Sequence, residues 1–298
     1  MKKLLTVSIL GVAMAAGTAQ ARDYDHVRIG VDVPYEPMEY RTADGELTGF
    51  DIDLGNALCA EIGVTCEWVE QEWDGIIPGL LARNYDAIMS SMSINDERRQ
   101  TVLFSDSYIT IPGAWFAPEG SEIEEISEET LSGKSIGVQR GTTYDNYATD
   151  SYGSIATINR YSTADDMVLD LQAQRLDIVF LEFVVGQATL LQSDEGDYHV
   201  VGEMVTEPEE YFGEGFGIAF RQRDTALAER FNARTGRRHW LRVCVQIYRL
   251  HWGVAGPTGP TRPPFSESTV RRASVAWSKG ALRWLRGLPA ALPGWLLL

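Results

Sequence analysis

The 298-residue chain carries 42 acidic and 26 basic residues, a formal net charge of −16. The charge divides unevenly, with −28 over residues 22–233, +10 over residues 234–298 and +2 in the first 21 residues. So acidic a central region repels phosphate and excludes nucleic acid as its partner.

The chain opens on Met1, Lys2 and Lys3, an apolar run from Leu4 to Ala16, and the exit Ala19-Gln20-Ala21. This pattern predicts a secretory signal peptide over residues 1–21, with the mature chain starting at Arg22. The apolar run is too short to span a bilayer comfortably. The mature product is therefore expected in an oxidising compartment, most simply a bacterial periplasm. Cys59 and Cys66 fit that setting. A close pair in an exported protein reads as a disulfide, with two buried free thiols as the alternative. Cys244 stands apart.

Residues 27–34 predict a β-branched strand stopped by proline. Asp44-Gly45 marks a turn. Next, GFDIDLGNALCAEIG predicts a helix capped by Asp51 and ended by Gly63, with Leu54, Ala57, Leu58 and Ile62 at helical spacing. A strand is expected at Thr65–Val69, a helix at Asp74–Ala82 and a strand at Tyr85–Ser90. After a crossing segment near Tyr108–Pro112 the pattern restarts. Strands are predicted at Lys134–Val138 and Leu176–Leu181, and helices from Thr142, at Ala164–Ala173 and at Phe183–Leu191. Two successive strand–helix passes predict two α/β lobes built on parallel sheets. Ligands of such folds sit at the carboxyl ends of strands and between domains. Glycine-rich Gly213–Phe220 is expected to cross back to the first lobe as a strand, and Asp224–Ala233 to start a helix.

From Arg234 the texture changes. Five of eight tryptophans and six of twelve prolines lie beyond it, and Glu267 is its only acid. This composition suits an out-of-frame extension beginning just after Asn232 or Ala233. The alternative is a basic extension that binds a membrane or a partner.

Several constellations carry chemistry. In Ser90-Ser91-Met92-Ser93-Ile94-Asn95-Asp96-Glu97-Arg98 a strand ends in hydroxyls and a helix starts at Asn95. Backbone N–H groups there and the Arg98 fork can hold a carboxylate. Gly141-Thr142-Thr143-Tyr144 repeats the arrangement in the second pass. Glu182, at the tip of a buried strand, can accept from an ammonium. Tyr35 and Trp73 can stack on a cation, and Asp32 can hold a distal positive charge. A phosphate loop GxxxxGK is absent, as are HExxH, CxxC and GxSxG, and neither His26 nor His199 has the surroundings of a catalytic triad.

The stretch from RIGVDVPYEPMEY through GFDIDLGNALCAEIG to DAIMSSMSINDERR resembles the polar amino-acid binding proteins of ABC importers, nearest to the lysine/arginine/ornithine and histidine binders. GVQRGTTYDNY, QRLDIVFLE and FGEGFGIAFRQRD continue the resemblance over about residues 26–233. It implies the two-lobed type II periplasmic binding protein fold, an α/β fold of two parallel-core sheets joined by a two-crossing hinge. Lobe 1 is then expected over residues 22–110, lobe 2 over 111–212, and the return to lobe 1 over 213–233.

The resemblance also implies roles. Arg98 grips the α-carboxylate, helped by the backbone N–H groups of Ser93 and Thr143. Ser91 and Glu182 take the α-ammonium. Tyr35 and Trp73 sandwich the side chain, while Asp32, Ser90 and Gln139 meet its far end. Thr142 and Tyr144 line the cleft wall, and Cys59–Cys66 matches a small-loop disulfide. The expected ligand is arginine, lysine, ornithine or histidine, with glutamine or an opine as alternative. The expected partner is an inner-membrane permease, the expected state a monomer, and no cofactor, metal or catalytic residue is implied. A dehydratase-like enzyme on this fold is the second class. Three departures stand out: Glu182 where relatives carry Asp, Gln139-Arg140 for a more usual apolar-plus-Gln pair, and the basic tail where a helix and a tyrosine-rich segment complete the first lobe.

Overall fold

Val27, Ile29 and Val31 are completely buried in the first strand, β1 (His26–Val31), and the ring of Tyr85 packs against Gly30 where any Cβ would collide with it. These three alternate with His26, Arg28 and Gly30, so one face of β1 is wholly apolar, while Arg28 on the other pairs with Asp86. The computed structural model describes residues 24–235 and Ile247. The predicted signal peptide and all of the tail beyond Thr235 except Ile247 lie outside the described residues.

A short hairpin, β2 (Tyr40–Arg41) and β3 (Leu47–Thr48), leads into α1 (Phe50–Ile62). Phe50, Leu54 and Leu58, four residues apart, put one face of α1 into the core. Gly63 ends it in the left-handed conformation. β4 (Thr65–Glu70) follows, and the disulfide Cys59–Cys66, with Cα atoms 6.0 Å apart, ties it to α1. Beyond a 3-10 turn at Trp73–Gly75 come α2 (Ile76–Leu81), β5 (Ala87–Ile88), α3 (Asp96–Arg99) and β6 (Val102–Phe104).

The second lobe contains β7 (Gly113–Pro118), α4 (Glu128–Leu131), β8 (Ser135–Gln139), α5 (Thr143–Tyr152), β9 (Thr157–Tyr161), α6 (Ala164–Gln172), β10 (Ile178–Glu182) and α7 (Phe183–Gly186). A π-helical turn at Gln187–Leu191 and β11 (Tyr198–Val205) follow, then α8 (Glu209–Phe212), β12 (Ala219–Arg221) and α9 (Thr225–Thr235).

The strands form two five-stranded sheets, ordered β4-β1-β5-β12-β6 and β11-β7-β10-β8-β9. Their cores are parallel, β1 with β4 and β5 in the first, β8 with β9 and β10 in the second. The parallel cores are as expected, and antiparallel strands enter at the crossings: β12 runs antiparallel between β5 and β6, and β7 runs antiparallel between β10 and β11. The chain leaves the first sheet after β6 and re-enters it through β12, making a two-crossing hinge. Phe216 bridges to both Ser93 and Ile109, so the crossings lie side by side. Gly213 adopts φ +63, and a Cβ there would sit 1.9 Å from the Ile94 carbonyl oxygen, so this approach demands glycine.

Each sheet is covered by helices. In the second lobe Trp115 stacks on Phe180 at 4.2 Å, with Tyr144 edge-on to the same ring. Burying rings of this kind stabilises by roughly 2–3 kcal/mol each. α9 packs Leu227, Ala228 and Phe231 into the first lobe, and Ile247 is buried in the same cluster.

Other expectations are corrected by local physics. Strand β1 stops at Val31, before the cis Val33–Pro34 peptide. Gly49, not Asp51, occupies the cap position of α1. Of Gly213–Phe220 only Ala219 and Phe220 are strand. The helix expected at Phe183–Leu191 becomes α7 followed by the π-helical turn.

Candidate functional site

Strands β1, β5, β8 and β10 all end toward one cavity between the lobes. All eleven residues named from the sequence line it: Asp32, Tyr35, Trp73, Ser90, Ser91, Ser93 and Arg98 from the first lobe, and Gln139, Thr142, Thr143 and Glu182 from the second. Tyr144 joins them, as does Glu39, which sequence reasoning missed. Glu39 sits in the polar-looking loop Tyr35–Tyr40. The one available signal was its position just after a cleft-facing strand end.

Two capped helix starts face the cavity. Asn95 accepts a hydrogen bond from the Arg98 backbone N–H at 2.9 Å, and Thr142 accepts from the Asp145 N–H at 3.1 Å. Both caps follow a strand end, so the chain turns and leaves N–H groups near the cavity. Arg98 donates from Nη1 to the Ser93 carbonyl at 3.1 Å, and its guanidinium lies 5.3 Å from the centre of the Trp73 ring. Burial lowers its pKa to about 10, which leaves it charged at neutral pH. Trp73 thus meets the Arg98 guanidinium while it lines the cavity.

Contacts span the cleft. Gln139 Nε2 donates to Asp32 Oδ2 at 2.7 Å, and Trp73 Nε1 donates to the Gly141 carbonyl at 3.0 Å. Arg140 pairs with Asp74 at 3.6 Å, an exposed contact worth little by itself.

The acids are unusual. Burial raises Asp32 to about 7 even though the Gln139 amide and the backbone N–H of Trp73 donate to it. Burial raises Glu182 to about 8, and its Oε2 is enclosed with no hydrogen-bond partner. Both shifts say that the carboxylate forms lack compensation. Three acids line the cavity, Asp32, Glu39 and Glu182, against the single base Arg98. The arrangement can hold an anion at Arg98 and the helix starts, and cations at Asp32 and Glu182, while Glu39 accepts from the Ser90 hydroxyl. Among the described residues no cluster of His, Cys, Asp or Glu could hold a metal ion.

Two α/β lobes joined by two crossings, with a polar cavity between their strand ends, define a solute-binding protein of the type II fold. The sequence matches the family described as bacterial extracellular solute-binding proteins, family 3, over residues 27–239, and the chain belongs to it. It is similar to an L-arginine-binding protein of Pseudomonas aeruginosa, 42% identical over 78% of this chain and 90% of that one. A lysine/arginine/ornithine-binding periplasmic protein of Escherichia coli is 36% identical over 79% of this chain and 90% of its own. Among solved structures, an ancestral arginine-binding protein bound to glutamine superposes with a TM-score of 0.70 at 28% identity, covering 78% of this chain and 99% of that one. No helix among the described residues is long and apolar enough to cross a membrane.

Proposed function

We propose that this protein binds a cationic L-amino acid, arginine before lysine, ornithine or histidine, as the extracytoplasmic receptor of an ABC importer. The observation that carries this reading is the cavity's lining: beside Arg98 for a carboxylate it offers two carboxyl groups, Asp32 and Glu182, for two cationic groups. Arg98 takes the α-carboxylate, with the N–H groups of Ser93 and Thr143. Glu182, whose buried Oε2 has no partner, takes the α-ammonium with Ser91. Asp32 meets the side-chain cation, with Ser90 and Gln139 beside it. Tyr35 and Thr142 complete the walls. A buried charge without a partner costs several kcal/mol, so an enclosed zwitterion with a cationic side chain needs such a set. The names of the similar proteins support arginine.

Glutamine is the second reading. Asp32 already accepts an amide N–H from Gln139, which is the group a glutamine ligand would offer. A thermal-shift screen of the twenty amino acids and ornithine separates the two, because a ligand raises the melting point by mass action. Recovery of unchanged ligand after incubation distinguishes a receptor from a dehydratase-like enzyme.

The same reading assigns residues 1–21 to an export signal, 22–110 to lobe 1, 111–212 to lobe 2 and 213–233 to the return. The receptor acts in the periplasm as a monomer that delivers its ligand to an inner-membrane permease. The composition of residues 234–298 supports an out-of-frame extension, against which stands a family match that runs to residue 239; the mass of the protein purified from its source tests that assignment. A native chain retaining the tail would overturn it.

A further inference from the structure

Glu39 and Asp51 lie beneath the cavity with both side chains completely buried and within hydrogen-bonding reach of each other. Glu39 Oε1 accepts from the Ser90 hydroxyl at 2.5 Å, and that hydroxyl accepts from the Asp32 N–H at 2.9 Å. Asp51 Oδ2 accepts from the Ser91 N–H at 2.7 Å, from the Ser91 hydroxyl at 3.3 Å and from the Tyr108 hydroxyl at 2.9 Å. Each acid keeps one enclosed oxygen without a donor, Glu39 Oε2 and Asp51 Oδ1.

Two carboxylates in contact and out of water cannot both be ionised. A single proton removes the conflict, since an O–H on one acid can donate to a carboxylate oxygen of the other. We propose that Glu39 and Asp51 form a carboxylic acid–carboxylate pair holding one proton, and that this pair is the positioning device that fixes Ser90 and Ser91 for the amino acid. The inference rests on the amino-acid-binding reading above.

Three features give the pair this role. Ser91 sits at φ +48, a conformation non-glycine residues seldom adopt, and its two bonds to Asp51 hold it there. Tyr108 belongs to the first crossing, so Asp51 joins α1, the loop after β5 and the hinge. Facing the pair from the packed elements are Asp32 after β1, Ser90 and Ser91 after β5, and Tyr108. Burial favours the protonated form of Glu39 most, and the negative charges of Asp51 and Asp32 act the same way. Asp51 keeps the charge because it has three donors. Loss of the proton would set two buried negative charges against each other and release Ser91.

The test combines infrared spectroscopy and calorimetry on the mature chain. A difference spectrum between the native protein and Glu39→Gln at pH 8, each with excess L-arginine, should contain the carbonyl stretch of a protonated carboxyl. Its absence overturns the pair whether or not arginine binds. In calorimetry Glu39→Gln, which keeps a neutral donor, should bind arginine within about threefold of the native protein, while Glu39→Ala should bind about tenfold more weakly or worse. Between pH 8 and 9.5 the native protein should lose affinity more steeply than Glu39→Gln. The ligand's own ammonium titrates equally against both. Parallel pH profiles, or a Glu39→Gln loss as large as that of Glu39→Ala, overturn the positioning role. Failure of the native protein to bind any amino acid would instead remove the functional reading and leave the infrared result standing.

Discussion

Gln139 of the second lobe donates its side-chain amide to Asp32 of the first across the cleft, at 2.7 Å. The same amide reaches the Ser162 carbonyl at 3.2 Å, so it is braced on its own lobe. Gln139 therefore closes the distal end of the cavity, and a cationic side chain must share Asp32 with it or displace it.

Gln139→Leu should remove that competition. The affinity for arginine should rise relative to glutamine by about tenfold, the worth of one buried hydrogen bond to a charged group. Calorimetry with both ligands checks it; an unchanged ratio would mean that Asp32 does not meet the side-chain cation.

Binding should also release protons. Asp32 and Glu182 hold theirs to about 7 and about 8 because burial penalises their charged forms. A cationic amino acid gives each a partner and lowers both values. Calorimetric titration at pH 6.5 in two buffers of different ionisation enthalpy should detect release of roughly one proton or more per ligand. Affinity should rise between pH 6 and 7.5.

The unliganded protein should respond in the opposite sense. An acid whose pKa is raised on folding binds more protons in the native state than in the unfolded chain. Its stabilising contribution is complete below the unfolded value and is lost as pH rises through the folded one. Asp32 and Glu182 thus predict a midpoint of urea unfolding that falls from about pH 4 to pH 8 through these two groups. Replacing both by their amides, Asp32→Asn with Glu182→Gln, should flatten that slope.

The disulfide Cys59–Cys66 closes a loop with a separation of 7 residues. Replacing both cysteines by serine should cost about 2 kcal/mol of stability in urea denaturation. Arginine affinity should stay within about twofold, since neither cysteine lines the cavity.

The parts of the site that depend on local chemistry were legible in the sequence. Asn95 and Thr142 cap their helices through bonds three residues away, and such bonds leave a pattern in the chain. The apolar run of β10 and the β-branched alternation of β1 likewise announce their strands. What depended on distant pairing was not legible. Asp51 looks like a cap at the start of α1, yet its carboxylate turns inward to Ser91 and Tyr108, 40 and 57 residues away. The antiparallel entry of β12 between β5 and β6 is invisible for the same reason. Glu39 escaped notice because its partners, Ser90 and Asp51, come together only in the folded lobe.

The most direct test of the central claim is calorimetric titration of the native protein and Arg98→Ala with L-arginine. The account predicts one arginine per native chain and a loss of about a hundredfold or more in Arg98→Ala, with cooperative unfolding retained. Near-native binding by Arg98→Ala, or no binding of arginine by the native protein, would contradict it.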